Sequence, residues 1–253
     1  MDWLRTLPIA HRGLHDAAKG LIENSPSAFE AAARAGYGIE LDVHCSSDGE
    51  VIVFHDRTLD RVTRQSGPLK ERSAHDLTQI LLDGGGDTIP TLTQVIDQVD
   101  GRVPILVEIK NQGRTVGGLE ARVAECLTSY SGAAAVQSFN PYSMAWFAKN
   151  APDILRGQIS QHYGDTSEVK LSPHERFVLR HLLLTPISRP HFIAYDCDAL
   201  PAPAPRLARA LGMPVLSWTV RSADVAARVL SHADNIIFEG FRPPLPATKA
   251  SNG

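Results

Sequence analysis

The sequence predicts an α/β protein, a TIM (β/α)8 barrel with a small inserted subdomain after the second barrel strand. Three observations lead there. Eight short β-rich runs alternate with helix-like segments. The chain has 253 residues and is 43% hydrophobic, which suits one large core, and barrel enzymes reach this size as a single domain. A ninth β-rich run follows the second after only a short turn, too soon for a parallel crossover of about a dozen residues.

The eight runs are residues 7–11, 39–43, 105–110, 134–139, 155–160, 192–196, 215–220 and 235–240. The ninth, 51–55, follows a turn containing Asp48-Gly49 and is expected to pair antiparallel, as a hairpin outside the barrel. Residues of about 45–89 then form the insertion, with a helix near 73–82 and a Gly84-Gly85-Gly86 stretch, over the mouth where barrel enzymes keep their sites. The first crossover helix is punctuated as residues 26–35, with Ser25 as N-cap, Pro26 at the first helical position and Gly36 just past the end. Residues 200–205 read as a proline-spaced loop before a helix beginning near Arg206, and about 241–253 as a short C-terminal tail of a single domain, 1–253.

A net charge of −3 with both signs interspersed gives no footprint for nucleic acid. The N-terminus lacks a secretory pattern and no run reaches the ~20 apolar residues of a spanning helix, so a cytoplasmic protein without a transmembrane segment is expected. Three widely spaced cysteines fit neither a disulfide framework nor a zinc motif and read as free thiols, with Cys45 nearest the expected site.

In the run 39–43, period two sends Glu40 and Asp42 to one face and Ile39, Leu41 and Val43 to the other. In 105–110 it sets Glu108 and Lys110 together at the C-terminal end. A buried carboxylate without a partner is costly, and a cation removes the conflict. Glu40, Asp42 and Glu108 offer a hard oxygen site suited to one divalent ion, Mg2+ or Ca2+, rather than zinc; taken singly, each acid could instead pair with Arg12 or Lys110. Of ten histidines, His11 and His55 differ in ending apolar runs. Arg12 can fork onto phosphate oxygens, Gly13 permits a tight turn, Lys110 adds a point charge, and Asp56 is expected to cap the turn after the hairpin.

The order His11-Arg12-Gly13, Glu23-Asn24-Ser25, Glu40-Leu41-Asp42, His55-Asp56 and Glu108-Ile109-Lys110 resembles the glycerophosphodiester phosphodiesterase family. The likeness continues through Gln137-Ser138-Phe139 and Trp218-Thr219-Val220. It implies hydrolysis of glycerophosphodiesters to glycerol 3-phosphate and an alcohol, with some relatives taking lysophospholipids. It assigns Glu40, Asp42 and Glu108 to the divalent ion, with Mn2+ an alternative occupant. His11 and His55 become general acid and base, Arg12 and Lys110 hold the phosphate, Phe139 and Trp218 line the pocket, and Glu23, Asp56 and Gln137 stand behind these groups. Other readings are a lysophospholipase D-type or cyclic-product-forming phosphodiesterase, a barrel isomerase or aldolase using the ion on an enolate, and an inactive phosphate- or metal-binding protein. Arg57, Arg61 and Arg64 are candidates for the alcohol half of the substrate.

Two positions depart from the family pattern. Where a Thr-Asp pair usually precedes a proline, this chain has Phe238-Glu239-Gly240, expected to change only the local hydrogen bonding of the last strand. Where asparagine is common, it has Arg221, expected to pair with Asp224.

Overall fold

Alternation of side chains along each strand sorts the core into two layers. In the computed structural model, which describes residues 1–164 and 171–246, nine strands form one sheet. They are β1 (Ile9–Ala10), β2 (Gly38–Cys45), β3 (Val51–Val53), β4 (Ile105–Ile109), β5 (Ala134–Ser138), β6 (Leu155–Ser160), β7 (Phe192–Asp196), β8 (Val215–Val220) and β9 (Asn235–Phe238). All but β3 run parallel, and β1 pairs with both β2 and β9, so eight strands close into a TIM barrel with helices between strands. β3 lies outside, antiparallel to β2, with Val43 opposite Val53 and Cys45 opposite Val51.

Ile9, Leu106, Ala135, Ile159, Phe192, Ala194, Leu216 and Ile237 fill the barrel interior, joined by Leu4 from the N-terminal turn of helix. Ile39, Leu41, Val43, Ile105, Val107 and Ile193 face outward against helix residues such as Phe29, Val95, Val123 and Phe147. Polar residues at interior-facing positions near the strands' C-terminal ends therefore meet at one mouth. The helix Pro26–Ala35 begins and ends as the sequence predicts: Ser25 accepts from the Ala28 N–H, and Gly36 takes the left-handed conformation with φ 79°.

Between β2 and the helix Leu92–Val99, the chain packs Ile52, Phe54, Leu59, Leu69, Leu77, Ile80, Leu82 and Ile89 around Ile22. Several boundaries differ from expectation. β1 is only two residues long, because at Arg12 the chain turns with φ 54°. The helix expected near 73–82 spans only Ala74–Leu77. Beyond it Ile80 and Leu82 are buried while Leu81 is exposed, a period of two that pairs Leu81 with Thr88 as an extended bridge. The helix expected near Arg206 begins at Pro203, since prolines fit the first turn, where the N–H has no intrahelical partner. The start of the tail is tied down by a hydrogen bond from the Tyr37 hydroxyl to the Pro243 carbonyl, 2.6 Å, and residues 247–253 lie outside the described residues. Among the described residues no helix is long and apolar enough to cross a membrane.

Gly157 has no room for a side chain, for a Cβ there would lie 2.1 Å from a ring carbon of Phe192, which is fully buried. Overpacking of this kind costs about 1–3 kcal/mol. Gly157→Ala is expected to lower Tm by about 2–4 °C per kcal/mol lost, and Phe192→Leu in that background to restore part of it. A melting curve for Gly157→Ala that overlays the parent would refute the packing account.

Candidate active site

Asp42 on β2 and Glu108 on β4 are register partners across adjacent strands, and Glu40 shares their face. All three are buried, and their carboxylate oxygens include a set lying within 4.8 Å of one another. Like charges so placed repel in a medium that screens them poorly. Burial, then Asp42 and Glu108, hold the Glu40 carboxyl well above its usual range. Glu108 is raised for the same first reason, against the pull of Lys110. Burial would raise Asp42 as well, but Lys110 and Arg12 outweigh it and its pKa falls.

Cations and hydrogen-bond donors arrive from three segments. Lys110 Nζ lies 2.6 Å from Glu108 Oε1 and 2.9 Å from Asp42 Oδ1. Arg12 Nε is 3.2 Å from Asp42 Oδ2, its Nη1 donates to Glu23 Oε1 at 2.8 Å, and its backbone N–H donates to Glu40 Oε2 at 3.0 Å. Arg12 and Gly13 both have positive φ, 54° and 79°, which turns the chain so that backbone and side chain of Arg12 reach the acids together. Gly13 is required, since a Cβ there would sit 2.9 Å from the Ala28 carbonyl carbon. Asn24, also left-handed at φ 55°, donates from Nδ2 to Asp42 Oδ2 at 2.9 Å and accepts from the Asp42 N–H at 3.3 Å.

Each predicted histidine is held through Nδ1 by an ionised carboxylate, which can only accept, so both rings carry the proton on Nδ1. His55 Nδ1 is 2.7 Å from Asp56 Oδ1. Asp56 thus orients His55 rather than capping a turn; its other oxygen accepts from Arg61 Nε at 2.6 Å. Arg61 also grips Glu23 through both Nη atoms, at 2.8 and 2.6 Å, tying the loop after β3 to the residue that holds Arg12. Burial would raise Glu23, yet Arg61 and Arg12 bring it down to about 2.

His11 Nδ1 is 2.6 Å from Glu239 Oε2, and Arg221 Nε donates to Glu239 Oε1 at 2.7 Å. Two expectations are corrected here. Arg221 pairs with Glu239, not with Asp224, because β8 and β9 are neighbours whose C-terminal ends converge. The change at Glu239 reaches beyond its own strand, since it bears directly on His11. Burial lowers the His11 pKa, opposed by the Glu239 hydrogen bond. Both histidines stand near enough to Asp42 to help depress it.

Gln137 and Trp218 carry buried polar atoms, Oε1 and Nε1, without a hydrogen-bond partner. Phe139 and Trp218 meet edge to face with centroids 5.4 Å apart. Cys45 packs on the outward face of β2 with the hydrophobic layer, away from the acids. Arg61 and Arg64 are committed to ion pairs, the latter with Asp83. Asn24 and Glu239 were not predicted as site residues. Glu239 was findable, since it lies two residues after the interior Ile237 just as His11 follows Ile9.

The group Glu40, Asp42 and Glu108 can hold a metal ion. Two observations fit one. Glu40 Oε1 is buried without a hydrogen-bond partner, and among the described residues the three carboxylates are ion-paired by two cations, Arg12 and Lys110. An all-oxygen donor set is chemistry for a hard cation.

A family model described as the Glycerophosphoryl diester phosphodiesterase family matches residues 11–235. The glycerophosphodiester phosphodiesterase of Caldanaerobacter subterraneus subsp. tengcongensis is 34% identical over 170 residues, 62% of this chain and 68% of that relative. Glycerophosphodiester phosphodiesterase 1 of Homo sapiens is 26% identical over 256 residues, 90% of this chain and 76% of the relative. An Oleispira antarctica phosphodiesterase, solved in complex with the product sn-glycerol-3-phosphate, superposes with a TM-score of 0.74 at 21% identity, covering 92% of both chains. A glycerophosphodiester phosphodiesterase from Thermotoga maritima superposes at 0.70 with 24% identity, covering 92% of this chain and 94% of that one. At these identities the structural likeness is one of fold.

The Glu23 arrangement sets an acid-stability signature. Its folded pKa of about 2 lies below the ordinary 4.5, so its contribution is present above pH 4.5 and is lost as pH falls towards 2. Thermal melts of wild type and Glu23→Gln are expected to differ most at neutral pH and to converge over that window. Parallel curves from pH 7 to pH 2 would contradict the ion-pair account.

Proposed function

The chain belongs to the glycerophosphoryl diester phosphodiesterase family, and we propose that it hydrolyses a glycerophosphodiester to glycerol 3-phosphate and an alcohol, with His11 and His55 as the general acid and base. One observation carries this reading. Three buried carboxylates meet at the barrel mouth beside two imidazoles, each fixed by its own carboxylate in the same tautomer.

A phosphodiester enters with one negative charge and gathers a second as the nucleophile adds, so positive charge set in place beforehand acts mainly on the transition state. A divalent ion held by Glu40, Asp42 and Glu108 supplies part of that charge, and magnesium or calcium fits these oxygens, with manganese next. Arg12 and Lys110 supply the rest and hold the phosphate. With Nδ1–H engaged, each histidine exchanges protons through Nε2, one removing a proton from the attacking oxygen and the other delivering one to the leaving oxygen. Glu23 fixes Arg12 and Asp56 fixes His55, and Arg61 ties the two acids together. Phe139 and Trp218 flank the organic part of the substrate, where the unpartnered Trp218 Nε1–H and Gln137 Oε1 are available to its hydroxyls. The glycerol 3-phosphate half is supported by the product named in the Oleispira antarctica complex. The alcohol half faces the loop after β3, and a lysophospholipid is a second candidate of the same chemistry.

Two experiments test the reading. His11→Ala and His55→Ala are each expected to cut turnover of glycerophosphodiesters about 10²–10⁴-fold while Tm stays near that of the parent. Near-normal turnover in either would remove that histidine from the reaction, and a cyclic phosphate as the final product by phosphorus NMR would replace hydrolysis with transfer. In chelator-treated protein, magnesium, calcium or manganese is expected to raise Tm and restore activity, binding only the native state. Glu40→Ala is expected to lose both responses, and retained metal content in that variant would exclude Glu40 from the centre.

A further inference from the structure

His11 and Glu239 are brought together by the closure of the barrel. Ile9 pairs with Ile237 and Ala10 with Phe238 across β1 and β9. Ile9 and Ile237 both point into the interior, so the next interior positions, His11 and Glu239, are neighbours at the mouth. Backbone hydrogen bonds fix this one step further, from the His11 N–H to the Phe238 carbonyl at 2.9 Å and from the Glu239 N–H to the Val220 carbonyl at 3.0 Å. The Glu239 side chain is 18% exposed and that of His11 12%. Its two oxygens have separate partners: Oε2 takes the His11 Nδ1–H and Oε1 takes the Arg221 Nε–H. His15 Nε2 approaches Oε2 as well, but at 3.5 Å.

The geometry points to Glu239 as the positioning residue of the reaction, holding His11 in the Nδ1–H tautomer and stabilising its charged form, with Arg221 tethering the carboxylate from outside. This rests on the reading of His11 as a general acid or base. Glu239 takes no proton itself. The Nδ1–H stays on the ring while Nε2 gains or loses its proton, and the carboxylate's negative charge offsets the imidazolium when it exists. Arg221 is largely exposed, so its ion pair with Glu239 contributes little to stability. What it does is keep the carboxylate's second oxygen occupied, so that the first stays on His11.

The test is Glu239→Gln, which keeps the shape and removes the charge. We expect kcat to fall about 10–100-fold with KM changed less than about threefold and Tm close to the parent. In a His11→Ala background the same substitution is expected to cause no further loss, because Glu239 acts only through that ring. Wild-type kcat in Glu239→Gln, a loss carried by KM, or a full additional loss in His11→Ala would each overturn the proposal. If His11→Ala alone retains activity, it is the acid–base reading of His11 that falls. Should Glu239→Gln fail to fold, nitrogen-15 NMR of the parent protein decides: a protected Nδ1–H resonance that vanishes in His11→Ala is expected, and its absence overturns the proposal.

Discussion

Asp42 and Glu108 stand opposite each other on adjacent parallel strands, with Glu40 two residues earlier on the same face, and all three are buried. Like charges in that position are tolerated only where positive charge and donors are brought to them. The rest of the mouth follows from that demand. The left-handed turn at Arg12-Gly13 exists because one short segment must present both a guanidinium and a backbone N–H to the acids. Asn24 enters the same space from the next turn, and Lys110 from the end of β4. Asp42 ends below its usual pKa while Glu40 and Glu108 end above theirs, so the charge available locally is not enough for all three.

A second tier of acids orients the side chains that meet at the mouth. Glu23, Asp56 and Glu239 each bind an arginine on one side and a functional side chain on the other. The arginines are the more exposed partners and the functional groups the more buried. Each acid therefore spans from solvent to the mouth, and orientation at the centre is maintained by contacts that solvent can reach. Arg61 has the widest reach, because by holding Glu23 and Asp56 together it fixes the loop after β3 against the barrel. Arg12 and His55, carried by different segments, are thereby positioned relative to one set of carboxylates.

Much of this was legible in the sequence. Period two placed Glu40 with Asp42, and Glu108 with Lys110, each pair on one face of its strand, because alternation is a property of any extended strand. Ser25, Pro26 and Gly36 bounded their helix for equally local reasons. Less legible was the segment after Ala74, where buried Ile80 and Leu82 alternate with exposed Leu81 and the chain pairs as an extended bridge. Local propensity there yields to a partner, Thr88, known only from the fold. Arg221 is the sharper case. Asp224 is close in sequence and at the start of a helix, so local reasoning chose it, whereas the actual partner lies on the neighbouring strand.

The sequence by itself determined the barrel, the identity of its polar mouth and the residue types gathered there, since these depend on periodicity, caps and the chemistry of single side chains. Only the tertiary structure decided which carboxylate holds the His11 imidazole: Glu239, more than two hundred residues away along the chain. The reason is closure. The pairing of the first strand with the last is a contact between the two ends of the sequence, and no local pattern records which side chains it will set face to face.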